Sequence, residues 1–175
     1  RSMLGNQCYS GFDYSSFHFI IFSFGFCKTL AIGDYKISFG QGLTMGNGMS
    51  FVARGESLLR RSKKISASKS ANEGHYLRGI ASTLKYNNLE LSIFYSNKKS
   101  DANVITYDSL SGTPLEISSL QQGGLHRTLN ELLDRKTIRQ QLYGLNLSYK
   151  TSNFQIGYTI HRTDLSAKLN PENNI

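Results

Sequence analysis

Four histidines, His18, His75, His126 and His161, are the side chains of this 175-residue sequence best suited to hold a transition metal or shuttle a proton. A helical zinc site needs two of them at i and i+4, and none has that spacing, so no metal site is expected. "GLHRTLNELLD", Gly124 to Asp134, gathers His126, Arg127, Thr128 and Glu131. Thr128 stands three residues before Glu131, and apolar Leu132 and Leu133 follow. That is a capping box, and a short loop helix is expected there in place of a catalytic cluster. "GQGLTMGNG", Gly40 to Gly48, has the glycine density of a phosphate loop, but no Lys-Ser/Thr tail and no helix follows it. Cys8 and Cys27 have neither knuckle nor redox spacing. No Ser, His and acid set assembles on one strand pair, so the chain reads as a non-enzyme without a cofactor.

The densest charge lies in "RGESLLRRSKKISASKS", where Arg60, Arg61, Lys63 and Lys64 cluster near a single acid, Glu56. A solvated face is the ordinary use of such a run. On the outer side of a bacterial membrane it would also meet lipopolysaccharide phosphates, which Arg and Lys bind by charge-assisted hydrogen bonds. Nucleic acid is not expected as a partner for this segment, because no aromatic side chain is interleaved from Arg54 to Ser70 to stack on a base.

The elements that would position these groups are strands. The chain carries 20 Lys plus Arg against 12 Asp plus Glu, a net +8, and its apolar content is dispersed over 10 Phe and 10 Tyr with no Trp. Such a charge suggests an anionic partner. The most apolar run, "FHFIIFSFGFC", is far shorter than the roughly 20 residues of a membrane helix, and its β-branched and aromatic content suits a strand. "RSMLGNQCYSGFDYSS" offers no apolar core before a cleavage site, and with no initiating Met the sequence reads as starting inside a longer one.

Three hairpins follow from turn chemistry. Tyr76 to Tyr86 and Leu89 to Lys99 flank Asn87 and Asn88, residues that tolerate positive φ in a two-residue turn. Gln141 to Lys150 and Phe154 to Arg162 flank Thr151, Ser152 and Asn153. "FDYSSFHFIIFSF" and the run from about Cys27 to Met45 pair across Gly25. In the last run Leu30 and Ile32 stand on the opposite parity from Tyr35, Ile37 and Phe39, so a bulge or a second tight turn is expected at Gly33 and Asp34. Polar connections of about Gly46 to His75 and about Ser100 to Gln140 separate the hairpins. Short and long connections thus alternate strictly, as in outer-membrane barrels, whose strands of about 9–11 residues match those here.

The fold expected is all-β, an antiparallel meander of about six amphipathic strands forming a partial transmembrane β-barrel with long loops on one side. Leu89, Leu91, Ile93 and Tyr95 would face lipid, as would Tyr143, Leu145, Leu147 and Tyr149, with Phe94 and Leu142 as exceptions to the alternation. Asp34, Lys36, Arg78 and Glu90 are the candidate lumen-facing residues. Arg60, Arg61, Lys63 and Lys64 are the candidate contacts to anionic lipid or lipopolysaccharide. A secreted soluble β-sheet module binding glycans or another anionic ligand shows the same alternation and remains the alternative.

The stretches "KTLAIGDYKISFGQGLTMGNGMSF", "YLRGIASTLKYNNLELSIFYSNKKSDANV", "SSLQQGGLHRTLNELLDRKTI" and "YGLNLSYKTSNFQIGYT", in that order, resemble the barrel portion of a large Bacteroidetes outer-membrane protein family known for a helix-hairpin-helix (ComEA-like) domain. The resemblance runs through nearly all of the chain, and "GDYKISFGQGL" is its most specific piece. It implies an outer-membrane location, a structural or transport role, and one continuous strand through that glycine-rich piece. The helix-hairpin-helix segment has no counterpart here, and family barrels are several times longer. Residues 1–175 therefore read as one segment of a larger barrel, truncated at both ends, whose partners are membrane lipid and the remaining barrel strands. Six strands fall short of the minimum of eight for a bacterial barrel, and an open sheet would leave two edges unpaired in hydrocarbon.

Overall fold

A computed structural model of the chain describes residues 15–39, 64–68, 76–109, 112–121 and 134–170. The chain is all-β; no helix occurs among the described residues. Six long strands, β1 (His18–Phe24), β2 (Cys27–Ile37), β4 (Leu77–Tyr86), β5 (Leu89–Tyr107), β7 (Ile138–Lys150) and β8 (Gln155–Leu165), form an antiparallel meander in chain order. Three short strands decorate it: β3 (Ile65–Ala67) against β2, β6 (Pro114–Gln121) against β5, and β9 (Lys168–Leu169) parallel to β6. Among the described residues the sheet does not close, and β1 and β8 are its two edges.

Turn chemistry placed the three hairpins correctly. β4 and β5 are joined by Asn87 and Asn88, and Asn87 adopts φ 50°, the positive value its side chain tolerates. The bulge or tight turn expected at Gly33 and Asp34 is absent from the β2–β4 ladder: the strand pairs continuously through both residues, and the one irregularity of that ladder lies before Leu30, between Cys27 and Thr29. The parity changes because Ile32 stays on the exposed side with Ile80, whereas Tyr35, Ile37 and Phe39 turn into a buried cluster. Gly33 and Gly79 face each other across this ladder with φ of 94° and 153°. A side chain at Gly79 would drive its Cβ to 2.3 Å from the carbonyl oxygen of Tyr95, which only glycine avoids.

The long connections contain more order than their polarity suggested. β5 continues past Ser100 to Tyr107 and returns as β6 through a turn in which the Asp108 N–H donates to the Thr113 carbonyl at 2.9 Å. The polar run Asn97 to Asp101 read as a strand end because ladder hydrogen bonds are indifferent to side-chain polarity. A small core of Ala102, Ile117, Ile138 and Ala167, flanked by Val104, Leu120 and Leu165, holds this outer hairpin to the ends of β7 and β8. Beside it, burial pushes the Asp134 carboxyl up from its ordinary range, and the Asp101 charge adds to that; the carboxyl keeps a hydrogen bond from Gln121 at 3.0 Å.

Candidate functional site: two faces of the sheet

Residues opposite each other on neighbouring strands share a face, so the register sorts the side chains. One face, here the outer, reads in rows. Tyr86, Leu89, Tyr149 and Ile156 form the row nearest the short turns, then Leu84, Leu91, Leu147 and Tyr158, then Ser82, Ile93, Leu145 and Ile160, then Ile80, Tyr95 and Tyr143, with Ile32 beside Ile80. Beyond them Asn97, Gln141 and Asp164 end the apolar band. The middle of this band is exposed: Ile80, Ile93 and Ile160 are 47, 50 and 51 % exposed. The six steps along β5 from Leu89 to Tyr95 span roughly 20 Å at about 3.4 Å each. Tyrosines stand at both margins, and Phe154 packs against Tyr149 with ring centroids 5.9 Å apart.

The inner face is small, polar and buried. Ala31, Ala81, Thr83, Ser92, Ser96, Asn146 and Ser148 all lie on it. Phe94 and Leu142, which break the sequence alternation, belong here too, and both are buried. They are covered by the chain itself. The end of β2 and the adjoining β3 bring Tyr35, Ile37, Phe39 and Ile65 into one cluster with Ala31, Ala81, Phe94 and Leu142. Phe39 meets Phe94 at 5.6 Å between ring centroids. Tyr35 donates its hydroxyl to the Tyr95 carbonyl at 2.7 Å. Small residues on the sheet leave the room that these large ones fill.

The four residues expected to line a lumen divide between two places. Asp34 and Arg78 pair directly across β2 and β4, with Arg78 Nε 2.6 Å from Oδ1 and Nη2 2.9 Å from Oδ2. The Phe17 amide adds a hydrogen bond to Asp34 at 3.2 Å, and Arg78 also donates to the Ser15 carbonyl at 2.8 Å. Lys36 lies in the β2–β3 ladder opposite Ser66. Glu90 is elsewhere, near the short turns, about 24 Å along the sheet from the Asp34–Arg78 pair at the strand rise. Its carboxylate bridges Lys28, at 2.5 Å on Oε1, and Lys64, at 2.8 Å on Oε2; Lys64 also donates to the Ser148 hydroxyl.

Lys64 belongs to the basic run in sequence, yet its ammonium is directed at the inner face. Arg60, Arg61 and Lys63 lie outside the described residues, as do His75, His126, Cys8 and the expected loop helix at Thr128. His18 and His161 stand on the two edge strands. Among the described residues no group of three His, Cys, Asp or Glu could hold a metal ion. Sequence reasoning missed the places of Tyr35 and Phe39 over the inner face, and of Lys28 and Ser148 beside Glu90 and Lys64. The signal for the first pair was the two broken alternations at Phe94 and Leu142, each a large apolar residue on a parity otherwise small and polar; nothing in the sequence marks the second pair.

Replacing Glu90 with Gln leaves Lys28 and Lys64 side by side without their carboxylate. The expected cost is about 1–2 kcal/mol in a denaturant titration of the full-length protein, the range for hydrogen bonds to charged groups, discounted for the partial exposure of the lysines. Glu90→Asp, which keeps the charge, should recover part of it.

No protein-family model, no curated protein and no solved structure matches this chain. Function is therefore argued from the two faces.

Proposed function

We propose that this chain is a segment of a bacterial outer-membrane β-barrel with a structural or transport role, its outer face against lipid and its inner face toward the barrel interior. The observation that carries the reading is the outer band. Four apolar rows are exposed, tyrosines mark both margins, and polar residues follow at one end. Lipid-facing barrel walls have an apolar band of about 25 Å flanked by aromatic girdles. In water the same band would be a contiguous apolar patch far larger than monomeric soluble proteins carry. The inner face supports the reading by its opposite chemistry, small and polar except where the β2–β3 arm packs on it. The likeness of the sequence to Bacteroidetes barrels, which lie in that membrane, points the same way.

In this reading β1 and β8 pair with further barrel strands, because an open edge in hydrocarbon leaves N–H and C=O groups without partners. In this reading no reaction is catalysed, and the expected contact of Arg60, Arg61, Lys63 and Lys64 with outer-leaflet phosphates gains no support, since Lys64 is held by Glu90 near the short turns. The test is the folding requirement. Full-length protein diluted from urea should recover β-sheet circular dichroism and protease resistance with phosphatidylcholine vesicles or detergent micelles, and float with the vesicles in a density gradient. A protein that is folded and monodisperse in buffer alone would replace this reading with a soluble sheet module.

A further inference from the structure

We propose that the short-turn end of the inner face is a binding site for multivalent anions, built by Lys28, Lys64, Lys85 and Lys150 around Glu90. The register brings these residues together. Lys85 stands directly opposite Glu90 across β4 and β5, and Glu90 directly opposite Ser148 across β5 and β7. Lys150, two residues beyond Ser148, returns to the same face. Lys28 and Lys64 are already turned toward this point, one on each oxygen of the Glu90 carboxylate. Four lysines against one glutamate leave a surplus of three positive charges.

Neighbouring strands lie about 4.8 Å apart, so Lys85 and Lys150 sit roughly 10–12 Å from each other at the backbone. Lysine stems close that gap around a ligand carrying several charges. Each exposed contact is weak and screened by salt, which selects against monoanions and for ligands with two or more phosphates or carboxylates. Glu90 shows the geometry in miniature: a single carboxylate spans two ammonium groups. Lys85 and Lys150 are exposed, and among the described residues neither has an ion pair to an acid.

The inference goes beyond the barrel reading, since it uses the register of the sheet and not the lipid contact of its outer face. Its experiment is calorimetric titration of the full-length protein in detergent with inorganic tripolyphosphate. The parent should bind saturably at low salt and lose affinity as salt rises. Lys85→Gln together with Lys150→Gln should weaken binding by about tenfold, the scale of losing two charge-assisted contacts. Lys99→Gln, toward the other end of β5, should change nothing. No saturable binding by the parent, or an equal loss with Lys99→Gln, overturns the proposal. Repeating the titration in lipid discs with and without phosphatidylglycerol separates the sources of phosphate. Unchanged affinity assigns the site to a soluble anion, and competition by the lipid assigns it to headgroups. A chain that binds tripolyphosphate but folds without lipid would defeat the barrel reading and leave this site standing.

Discussion

Ile93→Arg is expected to cost roughly 2–4 kcal/mol of the stability of the full-length protein folded into liposomes, the depth-dependent range for a cation on the lipid face of a barrel. Ile93 lies in the third of the four outer rows, between Ser82 on β4 and Leu145 on β7. Its side chain is half exposed, so nothing in the sheet itself opposes an arginine. On a water-facing sheet the same substitution would stay within about 0.5 kcal/mol. That contrast makes the measurement decisive, because packing and lipid contact predict different numbers. Urea titration of parent and variant in the same vesicles reads it. Leu147→Arg, one row nearer the short turns, should lose a similar or smaller amount. A loss below 0.5 kcal/mol at both sites would mean that the band faces water.

Phe94→Ala, one residue along, is expected to cost about 3–5 kcal/mol for a different reason, the range for deleting a buried phenyl ring. Phe94 is 1 % exposed and forms the floor under Phe39. Removing it opens a cavity that small neighbours such as Ala81 and Ala31 cannot fill. The β2–β3 arm then loses its anchor, so cleavage by trypsin after Lys64 should accelerate in the variant while the β4–β5 turn stays resistant. A variant with unchanged stability and unchanged cleavage would mean that the arm does not pack on the sheet. Adjacent residues on one strand thus test opposite faces with opposite physics: Ile93 reports the solvent outside and Phe94 the packing within.

The strand order and the three tight turns were legible because each rests on local chemistry. Asn87 and Asn88 tolerate a turn, and the alternation around Leu145 and Leu147 sorts faces without knowledge of any partner. What the sequence hid was non-local. Phe94 and Leu142 looked like lapses in an outward apolar pattern, and only the return of Phe39, Ile37 and Ile65 over the sheet shows why that parity needs large apolar groups. Lys64 looked like one of four equivalent cations, and nothing in "RRSKK" distinguishes the one whose partner is Glu90, 26 residues away. The extension of β5 to Tyr107 was hidden for another reason. Its polar middle satisfies the ladder through backbone groups that composition cannot see. The assignment of the inner face to a lumen came from parity alone, which says where side chains point and not what covers them.

The main sheet has an even number of strands, and its two edges run in opposite directions. The chain therefore enters β1 and leaves β8 on the same side, opposite the three tight turns. In the proposed barrel a unit of that kind is modular: one more hairpin could be spliced beside either edge without reversing any strand already present and without threading a segment through the bilayer. Growth of such a wall by duplication of hairpins would keep every tight turn in one compartment and every long excursion in the other. A change of circumference would then leave the sidedness of the protein untouched.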